Sequence, residues 1–189
     1  MNILITGTPG CGKTTFCESF IEAFHATSLA STDPKYSISH YNISDLVKDN
    51  KLHDGFDEKF QSYILDDDKL LDFMEDNLHF SSSRQKQKIN LIDYHTCEVF
   101  PESWIDLVVV LTTDNTTLYD RLAARGYSAI KIEENISCEI MQVVLSEAQE
   151  SYAESIVFPL ESCNQENLQR NLQFLTQKIQ ERLNKNKDL

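Results

Sequence analysis

Glycine is scarce in this chain, with five residues in 189. Long apolar runs are absent as well, and none approaches the ~18 residues that a membrane-spanning helix needs. No basic stretch precedes the first apolar segment, so no secretory signal and no membrane attachment is expected. The five cysteines (Cys11, Cys17, Cys97, Cys138 and Cys163) are scattered without a C-x-x-C pair. That spacing argues against a disulfide framework or a zinc site and for a reducing compartment. Positive charge is short too: 17 Lys and Arg stand against 30 Asp and Glu, for a net charge of −13. The deficit is steepest over Asp45–Asp76, where eleven acidic residues face four basic ones. Such a surface repels phosphate backbones, so no direct sequence-specific nucleic-acid binding is expected. It either attracts a basic protein partner or simply keeps the chain in solution.

The few glycines are not spread evenly. Gly7, Gly10 and Gly12 fall within six positions, immediately before Lys13. Ordered glycine costs backbone entropy, so the crowding needs a reason. GTPGCGKT, Gly7 to Thr14, fits G-x-x-x-x-G-K-[ST], the loop whose inward-turned N–H groups cradle phosphates. In that reading Lys13 reaches the outer phosphates and the Thr14 hydroxyl can bind Mg²⁺. Asn2–Thr6 reads as a buried strand before the loop. Lys13–His25 reads as a helix after it, with Phe16, Phe20, Ile21 and Phe24 on one face. Cys11, inside the loop, reads as an incidental small side chain in preference to a reactive thiol.

Along the rest of the chain, His25–His40 and the Ser-rich, then basic, His79–Lys88 read as loops. Ile89–Asp93 and Ile105–Thr112 are strong buried strands. Asn115–Arg125 is a helix stopped by Gly126, and a longer helix is predicted over about Ile136–Ile156. Ile156–Phe158 makes a short strand that Pro159 confines to an edge or an end. Leu168, Leu172, Leu175, Ile179 and Leu183 mark a closing amphipathic helix. Alternating strands and helices predict one domain, 1–189, built as a three-layer α/β fold on a parallel sheet. Ligands in such sheets bind at the carboxyl ends of the strands.

Two further motifs fall at those ends. Asp93, closing the NLID strand, is placed to hold Mg²⁺ or its water. His95, two residues on, is either a base that positions a water or an acceptor, or a hydrogen-bonded loop residue. In RLAARGY, Arg121 and Arg125 share one helix face near its end. Each either stabilises phosphoryl charge or caps the helix; for Arg125, beside Gly126, function leads.

Taken in order, GTPGCGKTT, YNISDL, DGFDE, ILDDDKLLD, LIDYH, FPESWIDLVVVL, DRLAARGY, KIEENI and CEIMQVVL resemble the adenylate kinase isoenzyme 6 family from Asn2 to about Glu161, more weakly in the closing helix. The resemblance implies the phosphate-loop NTPase fold of the nucleoside monophosphate kinase type, with a central five-stranded parallel sheet. It implies a nucleoside-monophosphate-binding region at about 42–65, including Asn42, Asp45 and Lys48, and a short lid at about 124–134. ATP contacts would come from Gly10, Gly12, Lys13, Thr14, Thr15 and Arg125. Catalysis would fall to Lys13, Asp93, His95 and Arg125, and Mg²⁺ to Thr14 and Asp93. The implied activities are phosphoryl transfer from ATP to AMP and ATP hydrolysis. The implied setting is nucleus and cytoplasm, in small-ribosomal-subunit maturation and rRNA processing on a pre-ribosomal particle, with a basic small-subunit ribosomal protein as partner. Thr112 departs from the family's L-R-x-D pattern by replacing its arginine. Three functions therefore stand open at this point: a nucleotide kinase, an ATPase assembly switch, and a nucleotide-binding scaffold without turnover.

Overall fold

A computed structural model describes residues 1–26, 37–58, 62–78 and 88–185. Five strands form a parallel sheet: β1 (Asn2–Thr6), β2 (Ser37–Asn42), β5 (Lys88–Asp93), β6 (Leu107–Thr112) and β7 (Val157–Glu161). Their spatial order is β2-β5-β1-β6-β7. The expected five-stranded parallel sheet is therefore present, with β7 on an edge that tolerates Pro159, paired in register with Val110.

Both faces of the sheet are covered, which is why its central strands are apolar at every position and not at alternate ones. Ile3, Ile5, Leu107, Val109 and Leu111 point to one face. There they pack against Phe16, Phe20 and Phe24 of α1 (Lys13–Ala26) and Leu172, Leu175 and Ile179 of the closing helix (Gln165–Lys185). Leu4, Ile92, Val108 and Val110 point the other way. They meet Ile43 and Val47 of α2 (Ile43–Asp49), Leu70 of α3 (Asp67–Phe73) and Ala148 of a later helix. Tyr152 seals that side by donating its hydroxyl to the carbonyls of Cys97 at 2.7 Å and Phe100 at 3.1 Å.

Several expectations shift in detail. The loop expected over His25–His40 is shorter at both ends, since α1 runs through His25 and β2 starts at Ser37; residues 27–36 lie outside the described residues. The second expected loop also falls largely outside them, at 79–87, with Lys88 opening β5. The strand expected from Ile105 begins at Leu107. The region expected to bind a monophosphate contains α2 and an antiparallel ribbon, β3 (His53–Asp57) with β4 (Ser62–Leu65).

The long helix expected over Ile136–Ile156 is two helices. After α4 (Asn115–Ala124), α5 spans Ala129–Ile140 and α6 spans Val143–Ser151, with the closing helix then α7. Gln142 between them is left-handed at φ 51°. A side chain there costs about 1–2 kcal/mol, and the apolar stripe gives no warning of it because neither glycine nor proline marks the break.

Four helices start on a side-chain cap. Asn42, Asp66, Asp114 and Ser128 each accept from the backbone N–H three residues on. These caps fix where α2, α3, α4 and α5 leave the carboxyl edge of the sheet.

Candidate active site

The loop between β1 and α1 turns on three positive-φ glycines, Gly7, Gly10 and Gly12. A Cβ on Gly7 would run into the Leu111 carbonyl oxygen of β6, so the loop lies against the sheet at a distance only glycine allows. Lys13 donates to the carbonyls of Gly7 at 2.7 Å and Thr8 at 3.2 Å, which parks its ammonium at the loop. Burial lowers the lysine pKa, while the Asp93 carboxylate acts in the opposite direction.

Asp93, the last residue of β5, is buried at 3% exposure. Thr14 Oγ1 donates to its Oδ2 at 2.6 Å. Asn42 Nδ2 donates to the same oxygen at 3.3 Å, and His40 Nε2 lies 3.3 Å from it. The expected Thr14–Asp93 pair is therefore in direct contact.

One cleft of about 880 Å³ opens in front of these groups. Gly10 and Gly12 to Thr15 of the loop, Asn42, Asp45 and Lys48 of the expected acceptor region, Asp93, His95 and Arg125 all line it, whereas Arg121 does not. β5 ends at Asp93, so His95 sits in the following bend and not on an extended strand. Its ring opens to the cleft, yet the surrounding protein and the Lys13 and Lys131 ammonium groups lower its pKa to about 4. His95 is neutral at pH 7 and can accept a proton or orient a water.

The two arginines have separate jobs. Arg121 donates to the carbonyls of Gly10 at 3.3 Å, Ser162 at 2.9 Å and Cys163 at 3.0 Å. It joins the phosphate loop to the start of α7 and is structural. Arg125, the C-cap of α4, presents its guanidinium to the cleft beside Gly126, whose φ is 73°. Thr112 stands apart from the cleft lining, and its carbonyl accepts from Ser162 N–H at 2.7 Å.

Sequence reading missed two residues that matter here. Lys131, one turn into α5, adds a cation to the cleft wall and lies over the Tyr127 ring at 4.6 Å. Glu139, near the end of α5, grips the loop from behind. It accepts from Thr8 Oγ1 at 2.5 Å, from Thr113 N–H at 2.7 Å and from the Cys11 thiol at 3.6 Å. Nothing in the local sequence separates Glu139 from its acidic neighbours, because its partners come from the phosphate loop and from the residue after β6. Burial, reinforced by Glu139, pushes the Cys11 thiol up to about 12, which fits an inert side chain.

With this geometry in view, comparison with known proteins is decisive. A family model described as an AAA domain matches residues 3–142. The adenylate kinase isoenzyme 6 homolog of Dictyostelium discoideum is 45% identical over 185 residues, which is 98% of this chain and 95% of that protein. The chain belongs to the adenylate kinase isoenzyme 6 family. The Saccharomyces cerevisiae homolog FAP7 is 48% identical over 90% of this chain and 78% of its own length. The Schizosaccharomyces pombe homolog is 44% identical over 93% and 90%. Among solved structures, a shikimate kinase from Bacteroides thetaiotaomicron aligns over 95% of this chain and 98% of its own, at 13% identity and a TM-score of 0.49. The family's phosphate loop, its D-Y-H stretch and its R-G-Y turn all converge on the one cleft, as a phosphate-loop nucleotide kinase requires.

Two outcomes are expected. Glu139→Ala leaves the buried Thr8 hydroxyl and Thr113 N–H without their acceptor, at about 1–3 kcal/mol each. Glu139→Gln, which keeps one accepting oxygen, costs less than half as much. Urea unfolding of the three proteins checks this, and equal midpoints would remove the anchoring role. Secondly, an NMR titration of the His95 ring gives a midpoint well below 6.5, which moves upward in Lys13→Ala. The sign for stability follows: between pH 6.5 and about 4 the unfolded chain binds the extra proton, so this residue's contribution falls as pH falls through that window. A midpoint at or above 6.5 would mean that cleft water fully solvates the ring.

Proposed function

We propose that the protein transfers the γ-phosphoryl group of Mg·ATP to AMP, giving two ADP, and also hydrolyses ATP. The observation that carries this reading is a single cleft whose lining includes both the phosphate loop and Asn42, Asp45 and Lys48. A cleft that joins a phosphate cradle to further polar and charged side chains suits transfer between two bound nucleotides.

The donor set fits magnesium: a hydroxyl oxygen on Thr14 and a carboxylate oxygen on Asp93, both hard ligands already brought together. When bound there, Mg²⁺ neutralises phosphate charge and orients the oxygens of the triphosphate. The chain's own residues do the rest. The loop N–H groups hold the phosphates, and Lys13 exchanges its carbonyl partners for phosphate oxygens. An oxygen of the acceptor phosphate attacks the γ-phosphorus while the bond to the β–γ bridging oxygen breaks. Arg125 meets the charge that spreads over the transferring group, and closure about Gly126 excludes water. With no acceptor bound, neutral His95 orients a water for hydrolysis.

The proposal extends, through the family resemblance, to small-ribosomal-subunit maturation and rRNA processing in nucleus and cytoplasm, with a basic ribosomal protein as partner. What supports it is the exposed carboxylate surface of 45–76, which includes Asp49, Asp54, Asp67, Asp68, Asp72 and Asp76. In this second role ATP turnover resets a binding equilibrium, and the partner is the output.

The deciding experiment follows ADP and inorganic phosphate together, with Mg·ATP and with or without AMP. ADP that appears only with AMP, without free phosphate, marks a kinase; phosphate release without AMP marks the ATPase switch; neither marks a scaffold. Lys13→Ala is expected to lose at least 100-fold in either product, on the scale of one lost transition-state cation. Normal turnover in that variant would remove the phosphate loop from the mechanism. For the partner, converting Asp67, Asp68 and Asp72 to asparagine is expected to weaken binding of a basic small-subunit ribosomal protein at least tenfold and flatten its salt dependence. Unchanged binding would reduce this surface to solvation.

A further inference from the structure

Asp93 faces a second group of ligands behind the one already described. Cys17 Sγ on α1, His40 Nε2 on β2 and a carboxylate oxygen of Asp93 all lie within 4.8 Å of one another. The three come from separate elements, so the scattered cysteines of the sequence gave no hint of the cluster. His40 and Asp93 are 3.3 Å apart, with side-chain exposures of 17% and 4%. Cys17 is fully buried.

The His40–Asp93 separation suits a small tetrahedral ion, and the Cys17 sulfur lies within 4.8 Å of both groups. With zinc bonds of about 2.0–2.2 Å to nitrogen and oxygen and about 2.3 Å to sulfur, tetrahedral ligands sit about 3.3 Å apart for nitrogen and oxygen and about 3.6 Å apart for a sulfur and either of them. The His40–Asp93 pair already has that spacing. A thiolate, an imidazole and a carboxylate together select a zinc-class ion over Mg²⁺, which prefers oxygen alone. Asp93 lines the cleft, which gives an ion a route from solvent.

We propose that Cys17, His40 and Asp93 form a binding site for a zinc-class divalent ion, and that an ion held there withdraws Asp93 from Mg·ATP and silences the active site. Binding exchanges one proton, which leaves the Cys17 thiol for solvent as the sulfur–metal bond forms. Only the silencing half rests on the phosphotransfer reading; the binding half stands on the three ligands.

The test uses Co²⁺ as a spectroscopic probe on the full chain, in the absence of nucleotide. One Co²⁺ per chain is expected, with a sulfur-to-cobalt charge-transfer band and the strong visible bands of tetrahedral cobalt, both bleached by Zn²⁺. Cys17→Ser should abolish the charge-transfer band, and His40→Asn, at a partly exposed position, should weaken cobalt binding at least tenfold. Cys138→Ser, which removes the exposed cysteine, should change neither. A band that survives Cys17→Ser, one that disappears in Cys138→Ser, or its absence from folded wild type would overturn the site. Zn²⁺ should then inhibit turnover under excess Mg·ATP, with Cys17→Ser needing at least tenfold more zinc. If the cobalt band behaves as expected but zinc inhibits both proteins alike, the silencing is wrong and the site stands. A protein without turnover still reports the cobalt band, so failure of the kinase reading is separable from failure of the site.

Discussion

One carboxylate oxygen, Asp93 Oδ2, is where the ligand-binding edge of the molecule is tied together. Thr14 from α1 donates to it, Asn42 from the end of β2 donates to it, and His40 lies against it. A buried carboxylate is costly unless hydrogen-bonded, so these partners are what allow it to stand at 3% exposure. The parallel register makes the meeting possible: Asp93 is level with Asn42 on one side and Ile5 on the other. Asn42 in turn caps α2 through the Asp45 N–H at 3.2 Å. The helix that carries the acceptor region therefore starts from a residue held by the same oxygen as the phosphate-loop helix. The phosphate loop and the expected acceptor region share one anchor.

The phosphate loop raises the complementary problem. A loop that turns its N–H groups inward must turn carbonyls outward, and those need donors of their own. Arg121 supplies one to Gly10, and Lys13 covers Gly7 and Thr8. Glu139 takes up the Thr8 hydroxyl and the Thr113 N–H, tying α5 to both the loop and the end of β6. The helix whose first turns fall in the expected lid is thus bound to the phosphate site at its far end, while its near end carries Lys131 into the cleft. Motion near Gly126 would move Lys131 and Arg125 relative to a loop that stays fixed.

Legibility in the sequence followed how local each cause is. β1, β5 and β6 were readable because burial on both faces writes itself as unbroken apolar runs. The loop and Asp93 were readable because their chemistry needs fixed residue types at fixed spacing. The break at Gln142 was not, since the apolar period runs on through it and only the packing of two helices on different neighbours demands the turn. Arg121 and Arg125 look equivalent on a helical wheel, yet one meets backbone carbonyls and the other meets open cleft. Glu139, His40 and Cys17 owe their roles to partners from other elements, which no window of sequence displays. The ribbon of β3 and β4 was covered by the family resemblance as a region but not as a structure.

Charge poses a last constraint on how this protein handles nucleotides. Lys13, Lys48, Arg125 and Lys131 line the cleft, but so do Asp45, Asp67, Asp93, Glu98 and Glu134. The cleft is therefore not a positive funnel, and the chain as a whole carries a net charge of −13. A bare triphosphate gains little from such a field at long range. What remains is short-range: oriented N–H dipoles in the loop, an ammonium already poised at its carbonyls, and hard oxygen ligands for a divalent ion that arrives with the nucleotide. On the proposed reading, selectivity for a metal-bound polyphosphate over other anions would follow from that arrangement. Geometry does here what net charge does elsewhere.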